Sequence, residues 1–183
     1  MAVWSYNRLV MVPSGRDERV WVRRAQAGSA SAIEELYRAH WPRAYRAAYL
    51  VVHDAAGAED IAQEAFLAAV RSLHRFDRAR PFGPWLHRIV VNRAIDWARA
   101  RTLRREVELG DAPVDPDSPA ELPALVRVLQ ALPPEQRAVI VLRHLLEYTP
   151  GEIAKLLDLP RGTVNSRLRR GLDELAVRLE EYR

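Results

Sequence analysis

The chain of 183 residues contains no cysteine, which removes disulfide frameworks, thiolate metal sites and thiol nucleophiles at once. Its five histidines are scattered without a metal-ligand spacing such as H-E-x-x-H, and no phosphate-cradling or dinucleotide-binding glycine motif occurs. No catalytic residue, cofactor, metal or small-molecule substrate is therefore expected. Long apolar runs are missing too. No stretch reaches the roughly 18 residues of a membrane span, and the opening MAVWSYNRLVMVPSG lacks the apolar core of a signal peptide, so a cytoplasmic protein is expected. Lysine is nearly absent: Lys155 is the single one among 28 Lys and Arg. Because a GC-rich genome also favours arginine, the distribution of charge carries the argument and the choice of basic residue does not.

What the sequence does have is charge sorted along its length. The net charge of +4 understates the asymmetry. Arg71 to Arg105 holds ten Arg against two acids, Asp77 and Asp96, and the segment 161–171 holds four Arg and no acid. Between them, Glu106 to Glu121 carries six acids and no base, with Pro113, Pro116 and Pro119 spaced through it. A stretch of that composition cannot build a core and reads as a linker. The division that follows is an N-terminal extension at 1–15, a helical domain at 16–105, an acidic linker at 106–120 and a second helical domain at 121–183. Basic clusters separated by an acidic one favour a nucleic-acid partner.

The most informative stretch is Tyr148 to Gly171, YTPGEIAKLLDLPRGTVNSRLRRG. Thr149 and Glu152 form a capping box with Pro150 at the first helical position, so a short helix starts there. Ile153, Leu156 and Leu157 supply its apolar stripe, and Asp158-Leu159-Pro160 stops it. A second helix begins near Pro160 to Gly162 and is expected to bury Val164, Leu168 and Leu172. This is a helix-turn-helix. Its second helix turns Asn165, Ser166, Arg169 and Arg170 outward, the residue types that read base edges in a major groove, while Arg161, Thr163 and Arg167 suit phosphates. The competing interpretation is an ordinary helical hairpin with a solvated basic face, against which four arginines without one acid weigh.

The preceding residues also read as helices. After a short helix from about Asp17 to Gln26 and a break at Gly28-Ser29, Ile33, Leu36, Tyr37, Trp41, Ala44, Tyr45 and Ala48 line one helical face and are expected in the core. AEDIAQEAFLAAVRSLHRF follows, with Ile61, Ala65, Phe66, Ala69 and Leu73 inward and Asp60, Gln63, Glu64 and Arg71 outward. In the basic segment, Phe76, Phe82, Trp85 and Trp97 are interleaved with the arginines, a composition that grips unpaired bases. Trp85 and Trp97 are expected in the core; Phe76, in a loop, is expected to face a nucleic acid together with the arginine cluster. Leu122 to Leu146 gives two further helices split at Pro133-Pro134, and the last helix runs to about Glu181.

Taken together, AEDIAQEAF, FDRARPFGPWLHRIVVNRAIDWAR and LPPEQRAVIVLRHLLEYTPGEIAKLLDLPRGTVNSRLRRGLDEL resemble the extracytoplasmic-function group of sigma-70 factors over about 20–180. The resemblance implies an all-α, two-domain initiation factor that joins RNA polymerase core and promoter DNA. It implies core contacts from Asp60, Gln63 and Glu64, contacts to the −10 element from Phe76 with the loop after it and from Asn92, and contacts to −35 bases from Asn165, Ser166, Arg169 and Arg170; Arg78, Arg88 and Arg99 are expected at the −10 element beside them, and Arg161, Thr163 and Arg167 at the −35 element. It also implies an anti-sigma partner, often anchored at a membrane. Where the family usually carries Gly, this chain has Asp158 in the hairpin turn and Glu147 before it, and Asn165 stands where Lys or Arg is frequent. The alternative functions are a helix-turn-helix regulator with an N-terminal sensing domain, or a signalling module with a fortuitous basic hairpin.

Overall fold

The computed structural model describes the backbone of residues 15–109 and 124–180 and the side chains of 15–104 and 126–180. Among these residues all regular structure is helical. The first half comprises α1 (Gly15–Gln26), α2 (Ala30–Val52), α3 (Ala55–Ser72), a single 3-10 turn (Leu73–Arg75) and α4 (Phe82–Leu109). The second comprises α5 (Ala124–Gln130), α6 (Pro134–His144), α7 (Pro150–Leu157) and α8 (Arg161–Glu180). Helix α4 continues through 106–109, residues expected to open the linker, because Glu, Val and Leu are compatible with a helix and their acidity does not stop one. The remainder of the acidic stretch and the N-terminal extension lie outside the described residues.

Side-chain caps set the helix boundaries. Ser29 accepts from the Ala32 amide at the start of α2, and left-handed His53 closes that helix by donating its amide to Tyr49 O. Asp54 then caps α3, its Oδ1 accepting from the Gly57 amide at 2.6 Å. Opposite this turn, a Cβ added at Gly57 would lie 2.7 Å from the Trp97 indole, so α3 and α4 approach there as only glycine allows. Arg101, one turn after Trp97 on α4, lies 5.2 Å from the centre of its ring and pairs with Asp54 at 2.9 Å.

The core of the first half is lined with alanine. Ala32, Ala44, Ala47 and Ala48 of α2 meet Ala58, Ala62, Ala65 and Ala69 of α3 and Ala94 of α4, all essentially inaccessible, which lets the helices pack closely around Leu36, Val51, Phe66, Phe82, Leu86 and Val90. Tyr37, Trp41 and Tyr45, expected in that core, are instead half-buried on the flank of α2. With Tyr49 they form a column of stacked rings whose successive centroids are 4.8, 6.3 and 6.3 Å apart. Trp85 and Trp97 are partly buried against the core, close to expectation.

In the second half the capping box of Thr149 and Glu152 is present. Asp158 adopts the left-handed conformation that its place in the turn demands, φ 54°. Helix α8 buries Val164, Leu168, Gly171 and Leu175, while Leu172 is 43% exposed. The expectation for Leu172 fails because a repeat of four drifts from the 3.6-residue turn. Position 172 lies about 80° around the helix from Val164, whereas 171 and 175 lie about 20° away. Gly171 occupies the contact, with Ile140 Cδ1 2.7 Å from where its Cβ would be.

The halves are docked on one another. Helix α6 packs against α2 and α4, α7 against α4, and α5 against α2.

Two substitutions test these local constraints. Gly57→Ala forces the rigid indole of Trp97 aside and should destabilise by about 1–3 kcal/mol in denaturant titrations. Glu147 sits at φ 61°, a conformation that strains residues with a side chain, so Glu147→Gly should stabilise by about 0.5–1 kcal/mol in the same assay.

Candidate nucleic-acid interface

Helix α8 presents its basic side as a consequence of what it buries. With Val164 and Leu168 fixed inward, Arg161, Asn165, Arg169 and Arg170 are exposed. Thr163, Ser166 and Arg167 are half-buried, and the Ser166 hydroxyl donates to Thr163 O at 3.0 Å. The residues expected to read bases thus share the open face, except that Ser166 is partly occupied by its own backbone. Arg167 lies on the side nearer α6, where its charge helps hold the Glu135 carboxyl below the usual range: burial acts to raise that group, and the first-turn amide, Arg99 and Arg167 outweigh it.

A second exposed stripe runs along α4 through Arg88, Asn92, Asp96 and Arg99. Arg88 and Asn92 face outward as expected. Arg99 also does, but it pairs with Glu135 of α6 at 2.6 Å and so ties the stripe to the other half of the chain. Phe76 departs from expectation. It is buried, its ring 4.6 Å from that of Trp85 and 5.9 Å from that of Phe82. The outward residues of this loop are Asp77, Arg78, Ala79 and Arg80. A loop aromatic among arginines looked exposed because the chain reversal that folds it under α4 leaves no periodic trace.

Two residues that sequence reasoning passed over position this loop. Gln26, at the end of α1, donates from Nε2 to Leu73 O at 2.8 Å and Phe76 O at 2.9 Å, and its Oε1 accepts from Arg78 Nε. Glu18, buried on the same helix, accepts from the Phe82 and Gly83 amides at 3.2 and 3.3 Å and so caps α4 from a distant part of the chain. His40 Nε2 lies 3.0 Å from its other contact, Oε1. Burial acts to raise the Glu18 carboxyl, but His40 and the two amides hold it below the usual carboxylate range. Glu18 stands four residues before Val22 and seven before Ala25, and an acid in register with an apolar helical stripe is the signal that could have been read.

On α3, Asp60, Gln63 and Glu64 are all exposed on one face. Gln63 donates to Glu59 at 3.2 Å and Glu64 pairs with Arg93 at 2.6 Å. Leu67, one turn further along, is 52% exposed, an apolar residue on a polar face that the sequence reading left out.

Between the halves lies a polar seam. Arg137 Nη1 of α6 is 2.7 Å from His53 Nδ1, and since a guanidinium can only donate, that ring nitrogen carries no proton. His87 Nδ1 of α4 is 2.7 Å from the Tyr148 hydroxyl at the mouth of the helix-turn-helix. Burial, and then the charge of Arg137, lowers His53 to about 3. Burial also lowers His87 to about 3, with the electrostatic influence of His40 and Arg43 adding to it and Glu18 opposing it. Burial pushes the Tyr148 phenol up and lowers Arg137 to about 10.

Such an arrangement, a helix-turn-helix joined to a second helical unit with its own exposed basic stripe, is that of a bipartite DNA-binding protein. Comparison with known proteins agrees. Residues 36–104 match the family Sigma-70 region 2 and residues 122–175 match Sigma-70, region 4. The ECF RNA polymerase sigma factor SigM of Mycobacterium tuberculosis is 34% identical over 153 residues, 82% of this chain and 78% of that protein. SigW of Bacillus subtilis is 30% identical over 178 residues, 87% and 95% of the two chains. Among solved structures, CnrH in complex with the cytosolic domain of CnrY superposes with a TM-score of 0.69 at 27% identity, covering 90% of this chain and 98% of that one. Bartonella quintana RpoE, solved with the anti-sigma factor NepR, shares the fold at TM-score 0.66 and 20% identity, over 82% and 98% of the chains. The chain belongs to the extracytoplasmic-function group of sigma-70 RNA polymerase sigma factors. Among the described residues no helix is long and apolar enough to cross a membrane.

The seam makes stability depend on pH. His53 and His87 are neutral in the folded chain and titrate near 6.5 once unfolded. Below that value the unfolded state binds more protons, so their contribution is complete above about pH 6.5 and is lost as pH falls toward 3. Between about pH 6.5 and 4.5, above the range of the lowered carboxylates, unfolding free energy should fall by up to about 1.4 kcal/mol per pH unit for each histidine. Denaturant midpoints measured against pH check this, and the double variant His53→Gln/His87→Gln should flatten the dependence.

Proposed function

We propose that this chain directs RNA polymerase to promoters. It joins the core enzyme through the exposed face of α3, reads and melts the −10 element with α4 and the loop before it, and reads the −35 element with α8. It acts through binding energy and performs no catalysis of its own. The observation that carries this reading is the pairing, in one chain, of a region 4 recognition helix with a region 2 stripe of Arg88, Asn92 and Arg99. A helix-turn-helix regulator with a sensing domain accounts for α7 and α8 but not for the match of residues 36–104 to Sigma-70 region 2.

In this account Asp60, Gln63 and Glu64 contact the core polymerase, and Leu67 adds an apolar anchor among them. Asn165, Arg169 and Arg170 read −35 bases, while Arg161, Thr163 and Arg167 hold backbone and Ser166 is shared. Arg78, Arg88, Asn92 and Arg99 engage the −10 strand. Phe76 supports the loop from below through Trp85 and takes no base itself. The domains are proposed to divide at the acidic stretch, now beginning after Leu109.

The docked arrangement must open for this work. By their nominal positions the −35 and −10 elements are centred about 25 base pairs apart, roughly 85 Å at ~3.4 Å each. Glu135 touches Arg99 on one side and sits near Arg167 on the other, so α4 and α8 are neighbours in the docked chain. The stretch between Leu109 and Ala124 can extend about 50 Å at ~3.4 Å per residue, which lets two separated domains span the promoter. An anti-sigma partner that stabilises the docked form would keep the factor inactive, and such a partner is proposed here.

Run-off transcription with core polymerase, on promoters selected from a random library by the assembled holoenzyme, tests the reading. Specific initiation is expected; initiation no better than with core alone would contradict it. Asp60→Lys and Glu64→Lys should each weaken co-elution with core by on the order of tenfold, about 1.4 kcal/mol, without loss of helix content.

A further inference from the structure

We propose that Arg16, Arg19 and Arg23 of α1, with Arg78 of the loop before α4, form a cleft that binds the phosphodiester backbone of single-stranded DNA beside the −10 bases. The proposal deepens the sigma-factor reading and rests on it.

The four arginines line an open cleft of about 650 Å³ whose remaining walls are Gly15 and Val20. The three on α1 fall at spacings of three and four, so they share one side of the helix, and all four are exposed. Glu18, Val22 and Ala25 occupy the buried side. The rotation of the helix is therefore fixed by its core residues, above all by the bond of Glu18 to the first amides of α4. Arg78 is fixed separately, its Nε donating to Gln26, which also holds the Leu73 and Phe76 carbonyls. The cationic row is thus held in register with the loop and with the start of α4.

Among the described residues the one side-chain hydrogen bond made by these four arginines is that of Arg78 to Gln26. None of the ion pairs among the described residues involves Arg16, Arg19, Arg23 or Arg78. Like charges one turn apart on a helix repel and weaken it, so the row has a cost to folding that no ion pair among the described residues offsets. It does have the form of a polyanion site. Arg16 to Arg23 spans about 10 Å along the helix, long enough to meet more than one phosphate of a strand laid beside it. Val20, 37% exposed among the guanidinium groups, offers an apolar floor for a sugar or base. Single-strand sites combine these two elements, charge along the backbone and apolar surface for what the backbone carries.

The acidic stretch of the chain itself is the rival occupant. It leaves α4 at Leu109, whereas the cleft adjoins the other end of that helix at Phe82. The two ends are about 40 Å apart at 1.5 Å per residue. A strand melted along α4 reaches the cleft directly, since Arg78 stands between them.

The test uses holoenzyme and promoters selected by the wild type. Pre-melted templates carry the non-template strand shortened one nucleotide at a time on either side of the −10 bases, and affinity is measured at several salt concentrations. On extended strands, Arg19→Ala/Arg23→Ala should reduce the slope of log Kobs against log salt by about 1.4, at ~0.7 per single-strand phosphate. The reduction should vanish once the strand is trimmed past the cleft, and Arg19→Lys/Arg23→Lys should restore the slope. Promoter-selective binding with an unchanged slope, an equal reduction on every template, or a steeper slope, as displacement of the acidic stretch would give, each overturns the cleft alone. Loss of promoter selectivity in the wild type overturns the underlying reading and the cleft with it.

Discussion

The two halves share one apolar core, and their boundary also carries a seam of polar side chains whose contacts hold only while their charges stay where they are. Arg137 brings a buried guanidinium against His53, and its hydrogen bond at 2.7 Å requires a neutral imidazole. A second neutral imidazole, His87, meets the Tyr148 hydroxyl at the foot of the recognition hairpin. Burying such groups is costly unless each is hydrogen-bonded, and here some atoms are not: Nε2 of both histidines and Nε of Arg137 are buried without a partner. Those unpartnered atoms weaken the contact. Interfaces between domains are usually more polar than cores, and relative motion across them is the default.

Within each half the constraints are of another kind. Alanines along α2, α3 and α4 bring the helices close, and residues distant in sequence cap one another's ends. Glu18 closes the amide end of α4, Asp54 closes that of α3 and also holds Arg101, and Gln26 ties down the loop that precedes α4. Each is a single polar contact that positions a surface. Through them the exposed residues of α3, α4 and the loop keep a fixed relation that none of those residues enforces itself. The seam that joins the halves, by contrast, includes Arg99, one of the very residues proposed to meet DNA. On that proposal, docking and promoter binding compete for the same side chain.

Much of this could be read from the sequence. The helix-turn-helix was legible because its signals are local: a capping box, a proline at the first turn, an acid able to take a left-handed conformation, and apolar residues a turn apart. The outward residues of α3 and α8 followed from the inward ones. What escaped was non-local. Gly171 has no side chain to mark its burial, so Leu172 was assigned its place. Phe76 looked exposed because its partners, Phe82 and Trp85, reach it only after the loop reverses. The aromatic column on α2 took the place in the expected core that the alanines hold in the structure. The seam was invisible altogether, since His53, His87, Glu135, Arg137 and Tyr148 form no pattern until the two halves meet.

The proposal, then, is of two helical units whose DNA-facing residues are set by their cores and whose mutual contact is given up before both reach DNA. Because the chain has no cysteine, labels can be placed at will. Dyes on Arg38→Cys in α2 and Asp173→Cys in α8, both exposed, report the separation of the halves by single-molecule energy transfer. The account predicts high transfer for the free chain at neutral pH and low transfer once core polymerase and a selected promoter are bound. The same high transfer in the free chain and in the promoter complex would contradict it.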